Sequence, residues 1–211
     1  MLSFLDAIFV PFSLFLTVGY HAYLWYCLKK KPSRTTRGIN LQTIRRTWFL
    51  KIVEGGDKND MLVVQSLRNS QMVAILNASF AILLNTALAA LTNNSFKGSY
   101  LLNTPFLGSK SGKMFVQKYG LASFLFLFSF FCSSQALALF MDANFLINAS
   151  SAEFSSSEYA EIALERGFLL VLIGNRLLLI TFPFLLWIFG PLPVVLSSVA
   201  LVWWLYELDF P

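Results

Sequence analysis

Oxygen-bearing side chains lie inside the long apolar runs of this sequence, where they could line a path for cations. Asp142 lies inside the phenylalanine-rich run that covers residues 119–147, and Asn77 and Asn85 lie eight residues apart in "VAILNASFAILLNTALAAL". Eight residues place the two amides near one face of a helix. Ser129 and Ser133 form a weaker pair of the same kind. Carboxylate and amide oxygens can replace part of a cation's hydration shell, and calcium prefers such ligands.

Each of these residues also has a structural interpretation. Asp142 could form an ion pair with Arg68, Arg166 or Arg176 on neighbouring helices. The two asparagines could form hydrogen bonds between helices of one subunit, each contributing about 0.6 kcal/mol. The sequence leaves both interpretations open for Asp142, Asn77 and Asn85 as candidates for an ion path.

Arg176 lies near the middle of "GFLLVLIGNRLLLITFPFLLWIFG", the most apolar stretch of the chain. An arginine at the centre of a membrane-spanning helix costs about 2.5–3.5 kcal/mol on insertion scales, so another group must satisfy it. It could face a water-filled path, or it could hold helices together through an ion pair. In a cation pore it would repel the permeant ion, so we expect Arg176 to point away from the pore axis. Arg68 and Glu165 are further charges with predicted structural roles.

The composition indicates an integral membrane protein. Hydrophobic residues make up 56% of the chain and charged residues 13%, whereas soluble proteins carry about 25% charged residues. The apolar residues occur in runs long enough to cross a bilayer. We therefore predict a single all-α transmembrane domain over residues 1–211. The predicted spans are approximately 4–28, 73–92, 119–147, 163–189 and a possible short fifth span at 193–208.

The number of spans decides the side on which the chain ends. If residues 193–208 only lie against the bundle, there are four spans instead of five.

Nine of the 16 basic residues fall between Lys29 and Lys58, which predicts that the loop 29–60 is cytosolic. The loop 93–112 is then predicted on the opposite side.

The basic loop contains an amphipathic segment, "INLQTIRRTWFLKIV". Arg45, Arg46, Trp48 and Lys51 are its candidate lipid-contacting residues, with Trp48 at the level of the headgroups. The alternative is that this helix packs on the cytosolic base of the protein itself. Membrane lipids are therefore predicted partners. A nucleic-acid partner is not expected, because no reader motif accompanies the positive charge.

Motifs for catalysis are absent from the sequence. It contains no Gly-rich phosphate loop, no G-x-S-x-G turn and no His/Cys cluster with metal spacing. The single histidine and two cysteines do not form a metal framework. We therefore expect no enzyme activity, no cofactor and no metal site, with calcium and other cations only as permeant ions.

Four motifs occur in order along the chain: "YHAYLW", "VQSLRNSQM", "LERGFLLVLIGNRL" and "PFLLWIFGP". Together they resemble the plant family known as domain of unknown function 599. The family label itself implies no mechanism, but the chain also resembles one plant membrane protein of similar size and layout. That second resemblance implies a ring-shaped homo-oligomer, specifically a homopentamer, whose central pore passes cations including calcium. It further implies the endoplasmic reticulum membrane, with the plasma membrane as the alternative, and a link to plant defence.

Two functions from different classes are compatible with this sequence. The first is a homo-oligomeric cation channel. A pore is not expected inside one subunit with so few spans, and identical chains usually assemble with closed symmetry, which would place the pore between subunits. The second is a non-conducting membrane adaptor that recruits lipids or partners through its basic loop.

Overall fold

The computed structural model describes residues 2–31, 35, 44–45, 47–48, 60–97, 112–148, 156–187 and 190–210. Five long helices make up nearly all of this part of the chain, and it contains no strand. They are α1 (Leu2–Lys30), α2 (Asp60–Lys97), α3 (Gly112–Asn148), α4 (Ser156–Leu186) and α5 (Pro191–Asp209).

All five helices are long and apolar enough to cross a membrane. The predicted all-α class is confirmed, and the short fifth run forms a helix of its own that is among the five candidate spans. α5 has 19 residues, which at 1.5 Å per residue gives about 28 Å, close to the thickness of the hydrocarbon layer. α2 has 38 residues, or about 57 Å, so it must extend beyond that layer.

The corner between α4 and α5 follows from local sequence. Gly190 has φ 145°, a conformation that glycine adopts without a steric penalty. Pro191 occupies the first position of α5, where its missing N–H would have no partner in the helix. The predicted end of the fourth helix near "FGPLP" therefore matches the structure.

The packing order of the helices differs from their order in the chain. α3 and α4 form the most extensive contact, α2 packs mainly on α3, and α5 packs on α1 and α4. α3 and α4 are antiparallel, because Ser129 contacts Gly174 and Phe140 contacts Gly167. α1 and α5 run parallel, because Ser13 contacts Ser198 and, further along both helices, Tyr20 contacts Asp209.

Small residues allow these helices to approach closely. A Cβ atom on Gly167 would lie 2.7 Å from the ring of Phe140, which is fully buried. A Cβ atom on Gly174 would lie 2.7 Å from Ser133 Oγ and 3.2 Å from the Ser129 carbonyl oxygen. Close contact between backbones is the usual basis of helix association in membranes, where lipid is as apolar as leucine.

A single subunit covers only a small part of its own spans. The buried share of the most apolar window ranges from 17% in α2 to 33% in α3. The remaining surface is left for lipid, water or further protein to cover.

Candidate functional site

Arg176 is held in a buried network that joins three helices. Its Nη2 atom donates to Asp209 Oδ1 at 2.5 Å, and the hydroxyl of Tyr20 donates to Asp209 Oδ2 at 2.7 Å. Arg176 is 8% exposed and Asp209 is 1% exposed. The pair is neutral overall and ties α4 to α5 and α1. The structure thus places Arg176 in an ion pair inside the subunit.

This network lies deep in the bundle. Tyr20 precedes Lys30 by ten residues in α1, and Arg176 follows Arg166 by ten residues in α4. Ten residues correspond to about 15 Å, so α1 and α4 place the network far from their charged ends, whereas on α5 it lies at the last helical residue, Asp209. Arg176 Nη1 is buried and finds no hydrogen-bond partner among the described residues.

Sequence reasoning missed Asp209. The sequence suggests Asp142 as a partner of Arg176, although Asp209 is also an acid, at the end of the apolar run "VVLSSVALVWWLYELDF". The pairing could have been suggested from the sequence, because a buried arginine requires an anion and the fifth apolar run contains the carboxylate of Asp209. The pairing itself depends on how α5 is aligned with α4.

Asn77 and Asn85 lie on the side of α2 that is covered within the subunit. Asn77 is 9% exposed, and Asn85 is partly buried with an inaccessible Oδ1 atom. Neither Asn77 Nδ2 nor Asn85 Oδ1 has a hydrogen-bond partner in the described ranges. In a single subunit, therefore, the two amides do not form polar patches on the outer surface.

Ser129 and Ser133 belong to the contact between α3 and α4. Both are fully buried, and Ser129 Oγ donates to the carbonyl oxygen of Gly174 at 2.7 Å. Ser133 Oγ faces the same glycine and is unpartnered within the described part of the chain. This pair holds two helices of one subunit together.

Asp142 lies on the surface of α3. It is exposed, and within the residues that the structure describes it forms no hydrogen bond or ion pair. Phe140 contacts Gly167 across an antiparallel pair, so Asp142 and Glu165 lie at nearly the same level. Arg68 and Glu165 are exposed as well. The structure thus leaves Asp142 free of the arginines that were considered as partners.

Lys118 is a second charged residue that sequence reasoning missed. It is 4% exposed, its Nζ atom donates to the carbonyl oxygen of Trp187 at 3.2 Å, and it lies 5.0 Å from the centre of the Trp187 ring. A cation at the C-terminal end of α4 is favourable, because the last carbonyl groups of a helix lack partners within it. Lys118 therefore stabilises the corner before α5.

A family model described as "Protein of unknown function, DUF599" matches residues 8–211. The chain belongs to this family. Searches of the curated proteins and of the solved structures found no match. The DUF599 assignment covers all five helices described above, and the four motifs that suggested it lie on α1, α2, α4 and the corner before α5.

Arg45, in the basic loop of this DUF599 chain, contacts the bundle. The Arg45 guanidinium lies 4.2 Å from the centre of the Phe168 ring, in the first half of α4. Arg45 and Trp48 are exposed, whereas Arg46 and Lys51 lie outside the described residues. The Arg45 contact favours packing on the protein's own base for this part of the segment.

Lys29 and Lys30 mark the predicted cytosolic end of α1. Their ammonium groups lie 5.0 Å and 5.4 Å from the ring centres of Trp25 and Tyr26. Aromatic rings and basic residues are typical of the membrane–water interface. No group of three or more His, Cys, Asp or Glu side chains that could hold a metal ion occurs among the described residues.

Proposed function

We propose that this chain assembles as a ring of identical subunits, a pentamer, around a central pore that passes cations including calcium. The chain resembles WeiTsing, a plant channel of the endoplasmic reticulum that protects against clubroot. That resemblance is the source of the stoichiometry, the compartment and the link to plant defence. The low burial of every span, 17% to 33%, supports assembly because it leaves surface for neighbouring subunits.

Asp142 is the observation that carries the proposal. Its carboxylate is exposed on α3, level with Glu165 near the charged end of α4, and no described cation neutralises it. An ionised carboxylate cannot face hydrocarbon without a large cost, so it must meet water, a cation or a neighbouring subunit. In a ring of copies the fields of several such carboxylates add and attract cations. Oxygen ligands of this kind suit calcium.

The pairing of Arg176 is compatible with a cation path. Because Asp209 lies 2.5 Å away, the arginine presents little net charge to a distant ion. The pair also lies inside one subunit, where it joins three helices. This arrangement agrees with the expectation that Arg176 points away from the pore axis.

The second candidate function is a non-conducting adaptor that binds lipids or partners through the basic loop. Lys29 and Lys30 beside Trp25 and Tyr26 favour this function, because they form an interfacial cluster next to that loop. Clusters of lysine and arginine next to a span also attract anionic lipids. An adaptor would need no path for ions.

The deciding experiment measures current through the purified protein in planar bilayers under a calcium gradient. A channel should give discrete conductance steps that reverse near the equilibrium potential of the cations. Mass measurement in detergent should give the pentamer in the same preparation. Electrical silence of a monodisperse pentamer across several lipid mixtures would contradict the channel and favour the adaptor.

A further inference from the structure

α2 is the span that its own subunit covers least. Only 17% of its most apolar window is buried, compared with 22% in α1, 28% in α4 and α5 and 33% in α3. More of α2 than of any other span must therefore be covered from outside the subunit. The chemical character of that surface indicates what covers it.

The two sides of α2 differ in character. Its inner seam repeats every seven residues, packs within the subunit and consists of Leu67, Ala74, Ala81 and Leu88. Positions two residues before each seam residue lie about 160° around the helix. These positions, together with the next one at the same spacing, are all exposed. They form the outer stripe of α2: Gln65, Met72, Ser79, Thr86 and Asn93.

The outer stripe is polar at four of its five positions. Ser79 and Thr86 lie in the middle of the helix, where a bilayer would be driest. Thr86 Oγ1 donates to the carbonyl oxygen of Ile82 at 2.9 Å, so its donor is satisfied within α2, whereas Ser79 forms no hydrogen bond within the described part of the chain. Hydroxyl and amide groups prefer water to hydrocarbon, because an unmet hydrogen bond costs free energy.

The exposed faces of α1, α4 and α5 suit lipid instead. Phe15 is 80% exposed on α1, Phe182 is 57% exposed on α4, and Leu196 and Val199 are 64% and 49% exposed on α5. Large apolar side chains of this kind can contact lipid tails without leaving a polar group unsatisfied. α2 also exposes large apolar side chains, among them Leu76 at 54% and Leu83 at 63%. It differs from these three helices in that, among the side chains that the structure describes, it alone also exposes serine and threonine hydroxyl groups.

We propose that the outer stripe of α2 lines the water-filled path, with one α2 contributed by each copy in the ring. This inference rests on the proposed channel and names the helix that forms its wall. Positions seven residues apart are separated by about 10.5 Å along the helix. Ser79 and Thr86 therefore form two rings of hydroxyl groups that cations pass in a partly hydrated state. These rings are uncharged, so charge selectivity comes from residues nearer the ends of the pore.

The test uses cysteine substitutions in conducting, reconstituted rings. Ser79→Cys and Thr86→Cys place thiols on the outer stripe, and Ala200→Cys and Val199→Cys place thiols of similar size on the exposed face of α5. The reactive thiolate forms in water and not in hydrocarbon. A charged thiol reagent should therefore modify the stripe cysteines at least about tenfold faster than the α5 cysteines. Modification should also block the current.

The background for this test is the chain with Cys27→Ala and Cys132→Ala. Both native cysteines are buried, at 3% and 4% exposure, so the background must first be shown to keep its assembly mass and conductance. A reciprocal exchange needs no reagent: Thr86→Val should lower the single-channel conductance, and Val199→Thr should leave it unchanged. The two exchanges alter side chains of nearly the same shape, so both should assemble.

The outcomes separate the helix assignment from the channel itself. Equal modification rates on α2 and α5 in a ring that conducts would overturn the assignment of α2 and leave the channel intact. Fast modification of the stripe in a ring that passes no current would overturn the channel and keep α2 at a water-filled surface. Fast modification with block of the current, together with the Thr86→Val effect, supports both.

Discussion

Replacing Arg176 by leucine is expected to destabilise the bundle strongly, because it leaves the carboxylate of Asp209 buried without its cation. Asp209 is 1% exposed, so water cannot take the place of the guanidinium. Removing one partner of a buried pair costs about 3–5 kcal/mol. Tyr20 would remain as a hydrogen-bond donor to Asp209, and a bond of that kind contributes about 1.5–3 kcal/mol. It is already formed in the native protein and adds no compensation.

The size of the effect can be compared with the total stability of a folded protein, about 5–15 kcal/mol. For a chain of this length, 1 kcal/mol shifts the melting temperature by about 2–4 °C. A loss of 3–5 kcal/mol therefore lowers the melting temperature in detergent by about 6–20 °C. Asn175→Leu is the matched control, because Asn175 neighbours Arg176 and is only partly buried. It should stay close to the native melting temperature.

A double-mutant cycle tests the reasoning itself. Asp209→Leu should be as harmful as Arg176→Leu, whereas the double variant should be much less destabilised than the sum, because no buried charge is left unpaired. Melting curves and assembly mass in one detergent provide the readout. Additive effects of the two single changes, or a native melting temperature for Arg176→Leu, would refute a buried ion pair that stabilises the bundle.

Three further predictions concern the ion path, the packing and the topology. Asp142→Asn keeps the size of the side chain and removes its charge, so the variant should assemble and show a lower calcium permeability relative to monovalent ions in bilayer recordings. An unaltered ratio of calcium to monovalent permeability would exclude Asp142 from the ion path. Gly167→Ala should destabilise the bundle by about 1–3 kcal/mol, because the new methyl group overpacks against the buried ring of Phe140. Gly120→Ala, with nothing within 4 Å of the new Cβ, should not destabilise it. Equal melting temperatures for the two variants would contradict the close packing of α3 on α4. Cysteines introduced singly at Ser33 and Ser109 should react with impermeant thiol reagents from opposite sides of the membrane, and labelling from one side would reverse the predicted topology.

The helices themselves could be predicted from the sequence, because their signals are local. Each apolar run is bounded by charges or by glycine and proline, and a helix is the structure that satisfies its own backbone in lipid. Gly190 and Pro191 mark the corner before α5 as clearly in the sequence as in the structure. Even the short fifth run could be recognised, although its length alone could not decide whether it spans.

The side on which each polar residue lies was harder to predict. Asn77 and Asn85 share a face, as their spacing indicates, but that face is turned into the subunit. The seven-residue repeat of Ala74 and Ala81 on the same side was the available signal, since small residues mark contacts between helices in membranes. The pairing of Arg176 with Asp209 depends on the alignment of two helices, which no local pattern encodes.

The neutralisation of Arg176 has a consequence for any cation path through a ring of these subunits. An unpaired arginine 15 Å from a monovalent cation would raise its energy by about 1 kcal/mol at an effective dielectric constant of 20. Five copies would raise it by about 5 kcal/mol, which slows passage more than a thousandfold. Asp209, in contact with the guanidinium, cancels most of that field while the pair still joins three helices. Asp142 has no such partner among the described residues and retains its full attraction for cations. In the proposed channel the two acids therefore have complementary roles: Asp209 removes a barrier inside the subunit, and Asp142 provides an attractive charge at its surface.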